Sequence, residues 1–384
     1  MDFSLNEEQH MIQESVRRFA RSQILPHAHD WDQAGKFPRE LLTRMGQLGY
    51  LGVPIPEEYG GAGLDYISEA VVFEEVGYSD SSVRTTLSVQ MSLVELTILH
   101  WGTEAQKQQY LPKLCSGEWI GCFGLTEPNA GSDAGNISTT AHQEGDEWIL
   151  SGQKVWISNG TWADLAIIFA QTEPGSRHRG MVAFLVETDT PGYTSQKMTG
   201  KLGLRASDTG ELFLDKVRVP DSARLGEVGQ GFKIAMSALD NGRYGVASGC
   251  VGAAQHALDA SVKYATERIA FDKPIASFQM VQDMLAQMKV NVETARLLVY
   301  RAGWVKNQGE VSTIPVSMAK YHASEIAKLN ADMAIQIHGG YGYSEEYVPE
   351  RLWRDSRVAS LYEGTSQIQK LIIGRDLTGI SAFG

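Results

Sequence analysis

The spacing of hydrophobic positions divides this chain into three stretches. From about residue 5 to residue 120, apolar residues recur three or four positions apart, which is the spacing of an amphipathic helix. The first such stripe contains Leu5, Ile12, Val16 and Phe19. The Pro- and Gly-rich segment Pro54–Leu64 interrupts the pattern and predicts a loop. We therefore expect residues 1–120 to form an N-terminal helical domain.

Short β-rich runs separated by turn residues replace the helical pattern in residues 121–230. Val, Ile, Phe and Trp dominate these runs, as they do in strands. The runs are Trp148–Gly152, Val155–Gly160, Leu165–Ala170, Met181–Val186, Glu211–Leu214 and Val217–Pro220. Such a series predicts a small middle β domain, either a sandwich or a barrel.

Long helical patterns return after Gly231. One stripe contains Val251, Ala254, Leu258, Val262 and Ala265, and a second contains Val281, Met284, Leu285, Met288, Val292, Ala295 and Val299. The segment 315–338 and a last apolar stretch after Thr365 add two further helices. Residues 231–384 are therefore expected to form a C-terminal four-helix bundle.

Composition narrows the class of protein. At 384 residues the chain is longer than one compact core usually grows, which agrees with several domains. Hydrophobic residues at 43% and charged residues at 21% are typical of a soluble globular protein. A formal net charge of −12 and the lack of a Lys/Arg block argue against a nucleic-acid partner.

The cysteine content and the start of the sequence predict the compartment. The three cysteines have no paired C-x-x-C spacing, which favours a reducing compartment over a disulfide framework or a zinc site. The nine histidines are scattered, without H-E-x-x-H, so no metal is expected. No signal-like segment opens the chain, and no apolar run reaches about 18 residues. We expect a cytoplasmic protein without a membrane span, or a mature chain whose targeting segment has been removed.

Three widespread catalytic motifs are missing from the sequence. No G-x-G-x-x-G follows a strand, and neither G-x-x-x-x-G-K-[ST] nor G-x-S-x-G occurs. A nicotinamide-type Rossmann site, a P-loop and an α/β-hydrolase nucleophile are therefore poorly supported.

Glu363 is the best candidate for a catalytic base. It stands between Tyr362 and Gly364, just before the last predicted helix. An aromatic ring can exclude water and a glycine lets a ligand approach the backbone, so the position suits proton abstraction. Alternatively, Thr365 is an ordinary helix N-cap and Glu363 a solvated loop acid.

Three polar segments rich in small residues could contact a ligand. They are Phe123–Asp133, Trp156–Ser158 and Gln336–Gly340. Free N–H groups and hydroxyls in the first could hold a flavin edge or a pyrophosphate, and the indole in the second could stack on a flat ring. Each also has a purely structural explanation: a turn with an Asx or Ser cap, a packed core tryptophan and a helix C-cap.

The order of these segments matches one family along essentially the whole chain. The sequence resembles the flavin-dependent acyl-CoA dehydrogenases. The matching segments are Gly124–Asp133, Trp156–Asn159, Glu267–Phe271, Gln336–Gly342 and Tyr362–Thr365. The resemblance implies an acyl-CoA dehydrogenase-like fold: an N-terminal all-α domain, a middle β-sandwich or barrel and a C-terminal four-helix bundle.

The resemblance also implies which residues bind FAD. Those near the isoalloxazine ring would be Phe123, Leu125, Thr126, Gly131, Ser132, Trp156, Ile157 and Ser158. A neighbouring subunit would supply Arg268, Gln279, Gln336 and Gly340 to the diphosphate and adenosine, with Phe271, Gly339, Thr365 and Gln367 completing the site. The resemblance also implies a homotetramer, built as a dimer of dimers. The structural alternative for Arg268 is a surface cation favoured by the helix dipole.

By the same resemblance, Glu363 would abstract the α-proton of an acyl-CoA thioester while a hydride leaves the β-carbon for the flavin. The Glu363 N–H and a flavin ribityl hydroxyl would hold the thioester carbonyl. The product would be a trans-2-enoyl-CoA, and an electron-transfer flavoprotein would reoxidise the FAD. Substrate contacts would come from Ser132, Asp240, Arg243, Tyr362 and Gly364. Arg243 could instead form an internal ion pair with Asp240, three positions earlier.

The acyl group is the open question. Arg84 aligns with an arginine that glutaryl-CoA dehydrogenases use for the distal carboxylate, although it could be a solvated helix residue. The run Arg243–Val246 also looks like that branch, but Thr365–Gln367 departs from its usual Thr-His-Asp. We expect a short-chain or branched acyl-CoA, with oxidative decarboxylation of glutaryl-CoA to crotonyl-CoA as the alternative.

Two other classes share this fold. An acyl-CoA oxidase or flavin monooxygenase is disfavoured because such oxidases are usually much longer. A non-catalytic assembly protein is disfavoured by the intact Glu363 and flavin-facing segments.

Overall fold

The computed structural model describes residues 4–382, and its elements follow the helix, sheet, helix order expected from the sequence. The first part contains α1 (Glu7–Gln23), α2 (Ala28–Ala34), α3 (Glu40–Gln47), α4 (Tyr66–Ser79), α5 (Ser81–Ser88), α6 (Leu96–Trp101) and α7 (Glu104–Cys115). A π-helix, Val89–Glu95, joins α5 to α6. The predicted loop Pro54–Leu64 contains only a single 3₁₀ turn, Glu57–Tyr59.

Helix α5 is fixed at its start by Asp80. The Asp80 carboxylate accepts the Val83 N–H at 2.8 Å, which caps the helix. The same carboxylate accepts a hydrogen bond from Arg351 at 3.1 Å. This buried pair ties α5, which carries Arg84, to the C-terminal part of the chain.

The middle part is a sheet whose strands are β1 (Gly121–Gly124), β2 (Thr140–Glu144), β3 (Glu147–Ser158), β4 (Leu165–Gln171), β5 (Met181–Glu187), β6 (Tyr193–Lys197), β7 (Thr209–Pro220) and β8 (Arg224–Leu225). The strand order is β6-β7-β3-β2-β4-β5-β8, with β1 beside β4. Strands β2 and β4 pair only at Thr140 and Gln171. The sheet therefore consists of two halves joined by one bridge.

The two halves of the sheet bury a shared core, as expected for a β-sandwich. Leu150 and Ile157 of β3 and Leu212 of β7 pack in one cluster with Ile168 of β4 and Phe184 of β5. The opposite face of β4 and β5 packs on the helical regions. Two of the predicted breaks are wrong: β3 and β7 are each one long strand, because register shifts absorb the polar interruptions without ending the pairing.

The last part contains α8 (Gly231–Glu267), β9 (Ile269–Ala270), β10 (Lys273–Pro274), α9 (Gln279–Asn307), α10 (Thr313–His338), α11 (Val348–Ser356) and α12 (Ser366–Thr378). Buried residues of α8, α9 and α10 share one core. Helices α4 and α8 approach closely at glycines: a Cβ at Gly77 would lie 2.5 Å from the Gly249 carbonyl oxygen. This crossing packs α4 of the N-terminal part against α8 of the bundle.

Candidate active site

Glu363 lies in a tight loop between a 3₁₀ turn, Arg357–Ser360, and α12. Glu363 and Gly364 both have left-handed backbone conformations, with φ of 51° and 85°. For a residue other than glycine this conformation costs roughly 1–2 kcal/mol, so neighbouring groups must hold the turn. The Thr365 hydroxyl accepts the Ile368 N–H at 3.2 Å and caps α12. The expected N-cap is therefore present, directly after Glu363.

The Glu363 carboxyl points against α8. Its Oε2 atom is buried and has no hydrogen-bond partner within residues 4–382. Gly242 provides the space, because a Cβ at that position would lie 1.8 Å from Oε2. This burial contradicts the alternative of a solvated loop acid.

Burial raises the pKa of the Glu363 carboxyl to about 7. Three nearby cations act in the opposite direction, namely Lys320, Arg84 and Arg243. A carboxyl that titrates near neutral pH can accept a proton and later release it, which is the property required of a general base.

Replacing Gly242 with alanine is expected to lower the activity by about 10²-fold, because the added methyl group overlaps the Glu363 carboxylate and displaces it. The rate of flavin reduction by acyl-CoA, the reaction that the resemblance implies, measures the effect. The control is Gly374→Ala on α12, where a Cβ would meet nothing within 4 Å. Equal activity of the two variants would show that the carboxylate need not lie against α8.

Three side chains anchor the main chain of this loop. Arg243 Nε donates to the Glu363 carbonyl oxygen at 3.1 Å, and Lys320 Nζ donates to that of Gly364 at 2.7 Å. The Gln369 amide contacts both oxygens, at 3.4 and 3.1 Å. Lys320 and Gln369 were not expected from the sequence. Lys320 could have been found as the one charged side chain among Val316, Ala319 and Ala323, the apolar face of α10.

Arg243 is buried, with 4% of its surface exposed, and forms the ion pair with Asp240 that the sequence left as an alternative, at 2.8 Å. Asp240 also accepts a hydrogen bond from the Thr313 hydroxyl at 2.6 Å. The guanidinium is thus shared between Asp240 and the Glu363 carbonyl. A contact of Asp240 or Arg243 with acyl-CoA stays a prediction.

Arg84 lies beneath Tyr362, not on a solvated helix face as the structural alternative required. It is 3% exposed, and its Nη2 donates to the Tyr362 hydroxyl at 2.7 Å. Its Nε and Nη1 atoms are buried without a partner in the described part of the chain. Gly249 of α8 makes room, since a Cβ there would lie 2.4 Å from Arg84 Cδ. Two unpaired cationic donors beside Tyr362 could bind an anion.

The segments expected to face the flavin are adjacent in the sheet. The Val155 N–H donates to the Thr126 carbonyl at 2.9 Å, which joins the segment Phe123–Asp133 to Trp156. Trp156 has a φ of 60° and lies at a register shift between β3 and β7. Its indole is 61% exposed, so it is not the packed core residue that was the alternative explanation.

The other residues of this group divide into core and surface positions. Phe123, Leu125 and Ile157 have their side chains in the core, so a ligand could reach them mainly through the backbone. Thr126 and Ser158 are half-buried, while Gly131 and Ser132 are exposed.

A buried ion pair supports the first of these segments and was missed from the sequence. Lys154, fully buried, donates to Glu127 at 2.7 Å and to the Leu125 carbonyl at 3.4 Å. Glu127 also accepts the N–H groups of Ser138 and Thr139. These bonds fix the backbone on which Thr126 lies. Their signal in the sequence is a lysine at an inward position of a strand.

The residues expected to come from a neighbouring subunit form a separate exposed group. Arg268, Gln336, Gly339 and Gly340 line one cleft of about 620 Å³. Phe271 is 88% exposed, and Gln279 and Gln367 are also exposed. Neither Glu363 nor Trp156 lines this cleft, so it is a surface distinct from the loop of the candidate base.

Three family models cover the chain in succession. The acyl-CoA dehydrogenase N-terminal domain matches residues 6–118, the middle domain residues 122–217 and the C-terminal domain residues 229–378. The chain belongs to the acyl-CoA dehydrogenase family. The expected fold class is thereby confirmed, and so is the enzyme class, because acyl-CoA dehydrogenases are FAD-dependent oxidoreductases that act on CH–CH groups.

Individual acyl-CoA dehydrogenases match over nearly their full length. Glutaryl-CoA dehydrogenase of Desulfococcus multivorans is 45% identical, with 99% of each chain covered. The structure of butyryl-CoA dehydrogenase from Megasphaera elsdenii has a TM-score of 0.96 at 41% identity and covers 98% of this chain and 100% of its own. A Mycobacterium smegmatis glutaryl-CoA dehydrogenase, solved with FADH2, has a TM-score of 0.95 at 38% identity and covers 99% and 97%.

The residues present fit FAD as the cofactor of this acyl-CoA dehydrogenase. The exposed Trp156 indole offers a flat apolar surface. Around Gly131, Gly339 and Gly340 a Cβ would meet nothing within 4 Å, so a ligand can approach the backbone. Across residues 4–382, no helix has the length and apolar character needed to cross a membrane, and no group of three His, Cys, Asp or Glu could hold a metal ion.

Proposed function

We propose that this acyl-CoA dehydrogenase converts a short acyl-CoA into the trans-2-enoyl-CoA, with Glu363 as the catalytic base. The observation that carries the proposal is the buried, unpartnered Oε2 atom of Glu363 beside the glycine of α8. Burial keeps its pKa near 7, so the carboxylate can take a proton at neutral pH.

The Glu363 loop also supplies a donor for the thioester carbonyl. The carbonyl oxygens of Glu363 and Gly364 accept hydrogen bonds from three side chains, namely Arg243, Lys320 and Gln369. The Glu363 N–H makes no hydrogen bond within the described residues. This N–H would bind the thioester oxygen, where negative charge develops as the α-proton leaves. Bound FAD supplies the acceptor for the β-hydride.

The proposals for the subunit assembly, the electron acceptor and the compartment are supported by the resemblance and by the exposed residues around Arg268. The exposed group around Arg268 supports a FAD site completed by a second copy of the chain. The homotetramer rests on the resemblance. An electron-transfer flavoprotein is the proposed acceptor of the electrons, and the cytoplasm the proposed compartment.

A second candidate function is favoured by Arg84. Its unpaired Nε and Nη1 atoms, next to the Tyr362 hydroxyl, would bind a carboxylate at the far end of the acyl chain. Glutaryl-CoA, with loss of CO₂, is therefore the alternative to an unsubstituted short-chain or branched acyl-CoA.

Anaerobic mixing of the FAD-loaded enzyme with a panel of acyl-CoAs tests both candidates. We expect flavin bleaching with at least one short acyl-CoA. Bleaching by glutaryl-CoA with release of CO₂ would identify the decarboxylating branch. Hydrogen peroxide release in air would instead indicate an oxidase, and a colourless protein that takes up no FAD would indicate a non-catalytic one.

A further inference from the structure

Lys320 is a buried cation beside the proposed base. Its side chain is fully inaccessible to solvent, on the face of α10 that otherwise buries Val316, Ala319 and Ala323. Its ammonium donates to the Gly364 carbonyl at 2.7 Å. Among residues 4–382 it forms no salt bridge with a carboxylate. A lysine without a salt bridge is costly to bury, so its presence calls for an explanation.

We propose that Lys320 is a positioning residue for proton abstraction: it fixes the turn that carries Glu363 and keeps a positive charge beside the carboxylate. This inference rests on the proposed role of Glu363. Lys320 acts through the main chain of the loop, to which it donates a hydrogen bond.

The positional part follows from the geometry of the turn. Two consecutive residues, Glu363 and Gly364, are left-handed, and their carbonyl oxygens accept bonds from two different cations. A charged donor holds a carbonyl more strongly than a neutral one. Without Lys320, the Gly364 oxygen keeps only the Gln369 amide, at 3.1 Å. The Glu363 N–H then loses its fixed direction.

The electrostatic part follows from the charges that face Glu363. They are Arg84 on α5, Arg243 on α8 and Lys320 on α10. Tyr362 adjoins Glu363 in the loop, and Cys250 and Glu325 also act on Lys320. Burial lowers the pKa of Lys320 to about 8, so the ammonium form still predominates near pH 7. Because a cation favours the carboxylate, its loss raises the pKa of Glu363 further. The base is then formed only at higher pH.

The test compares Lys320→Met, Lys320→Gln and Lys320→Arg with the wild-type holoenzyme. Flavin reduction by the best acyl-CoA of the panel is followed anaerobically over about pH 6 to 9. Exchange of the substrate α-proton in D₂O reports proton abstraction separately. FAD content, acyl-CoA affinity and the melting temperature report the fold. The control is Lys289→Met, which removes an exposed lysine of α9.

For Lys320→Met we expect flavin reduction and α-proton exchange to slow by about 10²-fold, with acyl-CoA affinity and FAD content nearly unchanged. The midpoint of the pH profile should rise by about 1 pH unit. Lys320→Arg keeps the charge and should keep the wild-type midpoint. Lys289→Met should match the wild type in every measurement.

An unchanged midpoint of the pH profile in Lys320→Met would overturn the proposal, even if the rate fell. Loss of a purely structural lysine lowers the rate without moving the midpoint. If Lys320→Met fails to fold or to hold FAD, the same comparison applies to the glutamine and arginine variants, of which only glutamine should shift the midpoint. A wild-type enzyme that no acyl-CoA bleaches refutes the proposed function and this inference with it. If an acyl-CoA bleaches the flavin of the wild type and the Lys320 variants behave like the wild type, only the inference is refuted.

Discussion

Replacing Glu363 with glutamine is expected to slow flavin reduction by about 10³- to 10⁴-fold, because the amide cannot accept the α-proton. Glutamine has nearly the same shape, so the space beside Gly242 stays filled. FAD content and acyl-CoA binding should therefore be retained. Anaerobic stopped-flow spectroscopy measures the bleaching, and a titration of the flavin spectrum measures binding.

Glu95→Gln is the matched control for this prediction. Glu95 is a fully buried glutamate on the π-helix, outside the loop of Glu363, and burial raises its pKa well above the usual value. Its amide variant should bleach at the wild-type rate. If Glu363→Gln also bleached at that rate, the base would have to be another residue.

Replacing Arg84 with methionine should separate the two substrate candidates. If the enzyme acts on glutaryl-CoA, removal of the guanidinium should lower kcat/KM for that substrate by about 10²- to 10³-fold, or roughly 3–4 kcal/mol, because a buried carboxylate loses its charged partner. Pentanoyl-CoA has the same carbon chain length without the distal charge and should be affected much less. Steady-state kinetics with both substrates measures the ratio.

The opposite result would assign Arg84 a different role. If kcat/KM falls equally for glutaryl-CoA and pentanoyl-CoA, the guanidinium supports Tyr362 and the charge of Glu363 and does not recognise a carboxylate. If the wild type prefers pentanoyl-CoA to glutaryl-CoA, the substrate is the unsubstituted short-chain type.

The fold was largely predictable because periodicity reports which face of each element is buried. The stripe from Val281 to Val299 lies on one helix, α9, and the runs from Leu165 and Met181 form the adjacent strands β4 and β5. The breaks predicted within β3 and β7 were wrong, because one bulged strand and two short strands have the same local pattern. The π-helix Val89–Glu95 has no signature in hydrophobic spacing.

The residues of the candidate site were predictable only where their immediate sequence neighbours indicate their role. Glu363 and Thr365 could be identified from their loop and helix start. The contacts of Arg84 with Tyr362 and of Lys320 with Gly364 join residues 278 and 44 positions apart, and no local pattern reports such distances. Trp156 is exposed because a bulge reverses its side chain, which alternation along β3 cannot indicate.

The packing of Arg84 against Gly249 sets a condition on any substrate assignment that relies on the arginine. The guanidinium keeps its place only because the facing position on α8 lacks a side chain, and a Cβ there would lie 2.4 Å from Arg84 Cδ. A homologue with arginine at the position of Arg84 but alanine at the position of Gly249 could not hold the guanidinium in this orientation. A substrate with a distal carboxylate should therefore be assigned to a homologue only when both the arginine and the glycine are present.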